Sequence, residues 1–239
     1  MITNPQSRTN VHEIADGIYR ISTPVAAIPG GFSFNQYLVV DDDPLLFHTG
    51  LRRMFPAVRD AIARVMPLDR LRWIAISHFE QDECGAVNEL LTAAPGAQAV
   101  CSRIGAMTSL GDLAIRPPRP LADGERVKLG RHEVVWWDAP HVPHGWDCGF
   151  LSETATRTLF CGDLFTQPGA GHAPVVEGDI LGPSEALRAK LDYYAHAPAT
   201  RATLERLAAA KPETLACMHG AAWHGDGAKL LLALADALG

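Results

Sequence analysis

The run Trp73-Ile74-Ala75-Ile76-Ser77-His78-Phe79-Glu80-Gln81-Asp82-Glu83 constrains the fold of this chain more than any other stretch. Trp73 to Ile76 is a short apolar run of the kind that forms a strand buried on both faces. Ser77 to Gly85 then reads as a polar, acidic loop at the C-terminal end of that strand. His78, Glu80 and Asp82 occupy alternate positions, and in extended backbone alternate side chains share a face. A metal site built on such a face needs donors from other loops, and the chain supplies His141, His144, Asp163 and His219, most of them beside strand-like segments. Singly, each is more often a cap, a turn residue or a hydrogen-bonded core group than a ligand. Their recurrence together argues for several strand ends meeting at one rim.

The surrounding pattern supplies the strands and helices for such a rim. Ile14, Ile18, Tyr19 and Ile21 read as one strand-like stretch and Phe32 to Val40 as a second. After a turn over Asp41 to Pro44, Leu45 to Phe47 resumes a strand. Phe55, Val58, Ile62 and Val65 recur at three-to-four-residue spacing with Arg59, Asp60 and Arg64 between them, which predicts an amphipathic helix. A second helix is expected from about Ala86 to Ala93. Further strands are expected at Ala99 to Cys101, Arg126 to Leu129, Glu133 to Trp137 and Thr158 to Cys161. The last third reads as mostly helical, around Leu204 and Leu207 and from Lys229 to Leu238. Residues 166–183, rich in glycine and proline, read as a long loop, and long loops in compact domains are often functional.

Composition narrows the function classes. With 239 residues, 47% hydrophobic and 20% charged, the chain can bury one sizeable core, so a single domain over residues 1–239 is expected. A net charge of -6 without a lysine or arginine run argues against nucleic acid as a partner. No stretch approaches the ~20 apolar residues of a membrane span, and Met1 to Val11 lacks an apolar signal core, so a cytoplasmic protein away from membranes is expected. The cysteines at 84, 101, 148, 161 and 217 contain no C-x-x-C pair and read as reduced, buried thiols, neither a disulfide framework nor a zinc site.

The run His78-Phe79-Glu80-Gln81-Asp82-Glu83 resembles the H-x-E-x-D motif of flavodiiron proteins and of oxygen-binding di-iron proteins in the metallo-β-lactamase superfamily. The hydrolases of that superfamily usually read H-x-H-x-D-H. His144 with Asp147 resembles the family's H-x-x-D, Asp163 in Leu-Phe-Cys-Gly-Asp its bridging aspartate, and His219 in Met-His-Gly its last histidine. The similarity spans roughly residues 12 to 224. It implies an α/β (α+β) fold, a metallo-β-lactamase-type αββα sandwich. It also implies a first metal on His78, Glu80 and His144, a second on Asp82 and His219, and Asp163 between them. His144 fits the resemblance better than His141, which is left as an outer neighbour of the site. Glu83 departs from the family, most members of which have histidine there; it is read as a ligand of the second metal, a hydrogen-bonding group, or the start of a helix.

Three histidines with three carboxylates and no thiolate suit iron or manganese as well as zinc, and Glu80 in place of a histidine hardens the site. The expectation is therefore two metal ions, iron before zinc or manganese, in an oxidoreductase-like protein that binds or reduces a small diatomic such as dioxygen or nitric oxide. One alternative is a di-zinc or di-manganese hydrolase of an ester, amide or phosphodiester. Another is a non-catalytic oxygen-sensing module. Flavodiiron proteins carry a flavodoxin-like domain, and this chain ends about where the metal domain of such a protein should; no flavin is expected in it, and a separate electron donor is. A homodimer is compatible with the sequence, although no motif encodes it.

Other residues carry two readings each. His48, where related proteins usually have aspartate, reads equally as an orienting group behind a ligand and as a satisfied core histidine. His172 and His224 are candidate proton donors, with a surface histidine the commoner case for His172. Trp146 and Trp223 read as pocket walls or as core.

Overall fold

The computed structural model describes residues 1–239. Fifteen strands form two sheets. The first contains β1 (Ile2–Asn4), β2 (Thr9–Ala15), β3 (Ile18–Val25), β4 (Phe32–Val39), β5 (Leu45–Phe47), β6 (Trp73–Ala75), β7 (Gln98–Ser102) and β8 (Arg119–Leu121), side by side in chain order. β1 to β5 pair antiparallel, and β5 to β8 parallel. The second contains β9 (Arg126–Lys128), β10 (Glu133–Asp138), β11 (Gly149–Glu153), β12 (Thr158–Phe160), β13 (Val175–Val176), β14 (Thr214–Ala216) and β15 (Ala222–His224), in the order β13-β15-β14-β12-β11-β10-β9. Its helical partners are among α1 (Phe55–Ile62), α2 (Gln81–Cys84), α3 (Val87–Ala93), α4 (Arg103–Met107), α5 (Ser109–Leu113), α6 (Leu181–Leu191), α7 (Thr200–Ala209) and α8 (Gly227–Leu238).

The period-two side-chain pattern sorts these strands into layers. On β4, Tyr37 and Val39 face the second sheet, together with Leu45, Phe47, Ala75 and Val100 of neighbouring strands. They meet Val134, Trp136, Leu151, Phe160 and Ala216 across the interface. The alternate residues Phe34, Leu38, Leu46, Ile74 and Ile76 point the other way, against Val58 and Ile62 of α1 and Leu90 and Leu91 of α3. The second sheet does the same: Phe150, Leu159 and Leu215 pack on Leu204 and Leu207 of α7 and on Leu231 and Leu234 of α8. The result is the expected αββα sandwich, with one core between the sheets and one under each helical layer. Burial on both faces explains why β5 and β6 read as unbroken apolar runs.

Several elements differ from the sequence expectation. The stretch Ile14 to Ile21 is two strands, because Gly17, at φ 68°, turns the chain between β2 and β3. α1 stops at Ile62, and Val65 lies in the turn that precedes Pro67. α2 interrupts the loop after β6, so Glu80 is extended (φ -134°, ψ 164°) while Asp82 sits on a helical turn. The chain also bends at Ser77 to Phe79, so His78, Glu80 and Asp82 do not line one face of an extended strand. The largely helical last third also contains β14 and β15. No helix is long and apolar enough to cross a membrane, and all five cysteines are buried free thiols.

Candidate metal centre

The donors follow the C-terminal ends of four strands at one end of the sandwich: His78 and Glu80 after β6, His144 after β10, Asp163 after β12 and His219 after β14. Each strand carries its following residues to the rim of the interface between the sheets, which is how positions far apart in sequence converge. Gly145, at φ 76°, lets the His144 loop lie against His78: an added Cβ would be 3.2 Å from Asp147 Oδ1 and 3.4 Å from His78 Cβ.

Two groups of donors result, His78, Glu80, His144 and Asp163 in one and Asp82, Glu83 and His219 in the other, with the ligating atoms of each within 4.8 Å of one another. Asp163 joins them. Its Oδ2 is 3.3 Å from Nε2 of both His78 and His144, and its Oδ1 is 3.2 Å from His219 Nε2. Glu80 Oε1 lies 3.1 Å from His144 Nε2, and Asp82 Oδ2 lies 3.4 Å from His219 Nε2. His78, Glu83, Asp163 and His219 are buried, whereas the Glu80 side chain is 50% exposed and opens the first group to solvent.

The hydrogen bonds on the far side of each imidazole fix which nitrogen faces the cluster. Nδ1 of His144 must donate to the Tyr193 carbonyl (2.8 Å), and Nδ1 of His219 to the Ser33 carbonyl (2.9 Å). For His78 the partner is a relay. His48 Nδ1 donates to the Met218 thioether (3.1 Å), so its Nε2 accepts from Ser77 Oγ (2.8 Å), and Ser77 Oγ in turn accepts from His78 Nδ1 (2.9 Å). Burial, together with the neighbouring His78, lowers the pKa of His48 to about 3, which keeps it neutral and able to accept. All three ligand imidazoles in their neutral form thus turn an Nε2 lone pair toward carboxylate oxygens. Such an arrangement is repulsive unless a cation lies between the groups.

The electrostatics agree. Burial would lower the pKa of His144 and His219, but Asp163 with Glu80 or Asp82 pushes both up to about 10, so protons take the cationic place when no metal does. Burial would raise Asp163, yet hydrogen bonds from His144, His219 and His78 hold it well below the usual carboxylate range. Asp82 is likewise lowered, against its burial, by His219. Glu83 goes the other way, raised well above the ordinary value by burial and then by Asp163 and Asp82. Both Glu83 oxygens are buried with no donor of the chain beside them, the only polar side chain at hydrogen-bonding distance being the Asp82 carboxylate. Three outward-fixed imidazoles, an aspartate reaching two groups and orphaned carboxylate oxygens fit a pair of metal ions.

The six ligand positions read from the sequence converge, and His144, not His141, enters the cluster. His141 is exposed, at φ 65°, with its backbone N–H donating to Gly145 O. His48 stands behind His78. His172 bonds to the Pro168 carbonyl and lines a separate cavity of about 730 Å³ with Arg8 and His12. His224 pairs with Thr214. Trp146 is 56% exposed at the rim, and Trp223 donates to Gly178 O. The sequence reading missed Phe32, whose ring lies tilted over His219 with centroids 4.3 Å apart, and Tyr193, which supplies the carbonyl for His144. The aromatic run of β4 was visible, but nothing in it marked a contact with residue 219.

Comparison with known proteins places this architecture. Rubredoxin-oxygen oxidoreductase of Megalodesulfovibrio gigas is 28% identical over 208 residues, covering 82% of this chain and 50% of that protein. An anaerobic nitric oxide reductase flavorubredoxin of Aliivibrio salmonicida is 24% identical, covering 84% of this chain and 42% of that one. The chain thus spans half or less of the length of these relatives. The solved structure of the Desulfovibrio gigas rubredoxin oxygen:oxidoreductase superposes with a TM-score of 0.80 at 22% identity, over 95% of this chain and 62% of that one. A flavo di-iron protein variant from Thermotoga maritima gives 0.83 at 18% identity, over 95% and 61%. At those identities the structural likeness speaks for the fold. Residues 32–220 match the family model described as ODP family beta lactamase, and the chain belongs to that family.

Proposed function

We propose that the chain is a non-haem di-iron protein that binds or reduces a small diatomic ligand, dioxygen or nitric oxide. The observation that carries this reading is the pair of donor groups joined through the two oxygens of Asp163. In this reading His78, Glu80 and His144 would hold one ion and Asp82 and His219 the other, with Asp163 in reach of both groups. A thiolate-free set with Glu80 among the ligands favours iron or manganese over a softer ion. The two relatives matched by sequence are named for oxygen and nitric oxide reduction.

Bound there, a pair of redox-active ions would supply the electrons and open coordination positions that a diatomic ligand requires. The chain's own residues set the conditions. The Tyr193 and Ser33 carbonyls and the Ser77–His48 relay keep three Nε2 atoms aimed inward. Phe32 and Phe34 wall the His219 side with apolar surface, their ring centroids 4.3 and 5.3 Å from its own. That wall excludes water from the more buried group, while Glu80 leaves the other accessible. Turnover needs electrons from a partner, and the rubredoxin and flavin classes for which the relatives are named are the donors to try first.

The test is to purify the protein without added metal, determine its metals by mass spectrometry, and expose the anaerobically reduced form to air. About two irons per chain with an oxygen-dependent visible spectrum would support the reading. Zinc alone with no spectral response would overturn it in favour of a hydrolase. Steady oxygen consumption with a reductant separates an enzyme from a binding module.

A further inference from the structure

We propose that Glu83 is the seventh protein ligand of the centre and makes its second position selective for a hard, oxygen-seeking cation such as manganese(II) or iron(II). The inference rests on the two-metal reading above and goes beyond it by assigning unlike preferences to the two positions.

Glu83 is 0% exposed, and its carboxylate has no cationic or neutral donor of the chain beside it, only the carboxylate of Asp82. An ionised carboxylate without a partner is among the costliest groups to bury. A glutamate that merely favoured a helix start would point to solvent, as acidic residues in first turns commonly do. This one cannot swing outward. Its own carbonyl accepts from both Thr49 N (2.7 Å) and Thr49 Oγ1 (2.9 Å), which pins α2 to the turn after β5. Thr49 Oγ1 also accepts from Ala86 N at 3.1 Å, fixing the far end of the same segment. The backbone thus holds the side chain inside the group that contains Asp82 and His219, where all ligating atoms lie within 4.8 Å of one another.

Charge points the same way. Glu80, Asp82, Asp163 and Glu83 are four carboxylates among the seven donors, and ionised they balance two divalent cations. Without Glu83 one positive charge would be left for an anion from solvent to balance. The two positions then differ in kind. The first has two imidazoles, Glu80 and Asp163 Oδ2; the second has one imidazole, two carboxylates and Asp163 Oδ1. Imidazole-rich sets suit zinc, whereas carboxylate-rich sets suit manganese and iron. The chain should accordingly tolerate zinc in its first position and discriminate against it in its second.

The experiment titrates the metal-stripped full chain with manganese(II), followed by electron paramagnetic resonance, and with zinc(II), followed by chelator competition. Wild type is expected to bind two manganese ions, with zinc preferred at only one position. In Glu83→Gln the weaker manganese affinity should fall at least about tenfold while the other stays within about twofold, with circular dichroism confirming the fold. Glu83→His should keep two positions but shift the second toward zinc, which also tests the idea if the glutamine variant fails to fold. Unchanged manganese affinity and selectivity in both variants would overturn the role of Glu83 while leaving the two-metal reading intact. Wild type binding fewer than two cations of either kind would overturn that reading itself. Loss of both positions in a folded Glu83→Gln chain would make Glu83 a structural support and also overturn the proposal.

Discussion

At the scale of single residues, the three imidazoles differ in how vulnerable their orientation is. His144 and His219 are aimed by backbone carbonyls, which no side-chain substitution deletes, whereas His78 depends on the hydroxyl of Ser77 and, behind it, His48. Ser77→Ala should therefore weaken metal at the first position by about 10–100-fold. It also leaves two buried nitrogens without partners, at a cost of roughly 1–3 kcal/mol in stability. Chelator competition and urea denaturation measure the two effects. Wild-type metal affinity in the variant would show that packing alone orients His78. The convergent side chains themselves were legible in the sequence because histidines and carboxylates after strands are conspicuous and the family motif names them as candidate ligands. The partners behind them were not. Carbonyls of Tyr193 and Ser33 have no side-chain signature, and a histidine at 48 reads equally as core or as support until Ser77 is seen between it and His78.

At the scale of elements, what the sequence concealed are the strands and helices not held by apolar periodicity. β11 contains Ser152 and Glu153, both buried, and they are satisfied by Trp137 Nε1 and His132 Nδ1 instead of by apolar neighbours. β14 and β15 have three residues each, too few to show a period. α6 buries only Ser184 and has no apolar stripe. Glu153 shows what substitutes for periodicity. It accepts from Ala155 N, Thr156 N and Thr156 Oγ1 as well as from His132, so it closes the turn between β11 and β12. Burial alone would raise its pKa, but the Thr156 and Ala155 hydrogen bonds, with His132, hold it below the ordinary value. A lowered folded-state pKa contributes stability above the unfolded value of about 4.3, and loses it as pH falls through the folded value. Glu153→Gln should cost about 2–3 kcal/mol near neutral pH, and the gap to wild type should close in acid. A gap that stays constant down to the acid limb would assign the effect to shape and not to charge. Gly149 offers a second test in β11: an added Cβ would lie 2.2 Å from Cζ2 of the buried Trp136 indole. Gly149→Ala should destabilise by roughly 1–3 kcal/mol in thermal unfolding through overpacking. A melting curve that matches wild type would mean that the indole moves aside without cost.

Across the whole molecule, apolar periodicity showed strands alternating with helices, some strands apolar on both faces, and the αββα arrangement of those layers followed from the family resemblance of the His78 to Asp82 run and its companion motifs. The site inherits its position from that architecture. One sheet contributes the loop that carries His78, Glu80, Asp82 and Glu83, and the other contributes the loops of His144, Asp163 and His219. Metals held at this rim would therefore cross-link the two sheets, because Asp163 of the second sheet lies within 3.3 Å of His78 of the first. A ligand that binds only the folded chain adds about 4 kcal/mol of stability at a thousandfold excess over its dissociation constant. For a chain of this size each kcal/mol moves the melting temperature by about 2–4 °C. Stripping the metals should thus lower the melting temperature by roughly 8–16 °C for each ion removed. Hydrogen exchange should locate the loss. Amides of residues 77–85, 142–148, 161–167 and 217–221 should lose the most protection in the stripped protein, and those of β4, β10 and the core under α7 and α8 only what the drop in global stability removes, because their burial is independent of the rim. Equal melting temperatures with and without metal would mean that the folded chain binds no metal in preference to the unfolded one, and would overturn the pair of metal positions. An equally large loss of protection throughout would instead make the cation pair a condition for the two sheets to stay together.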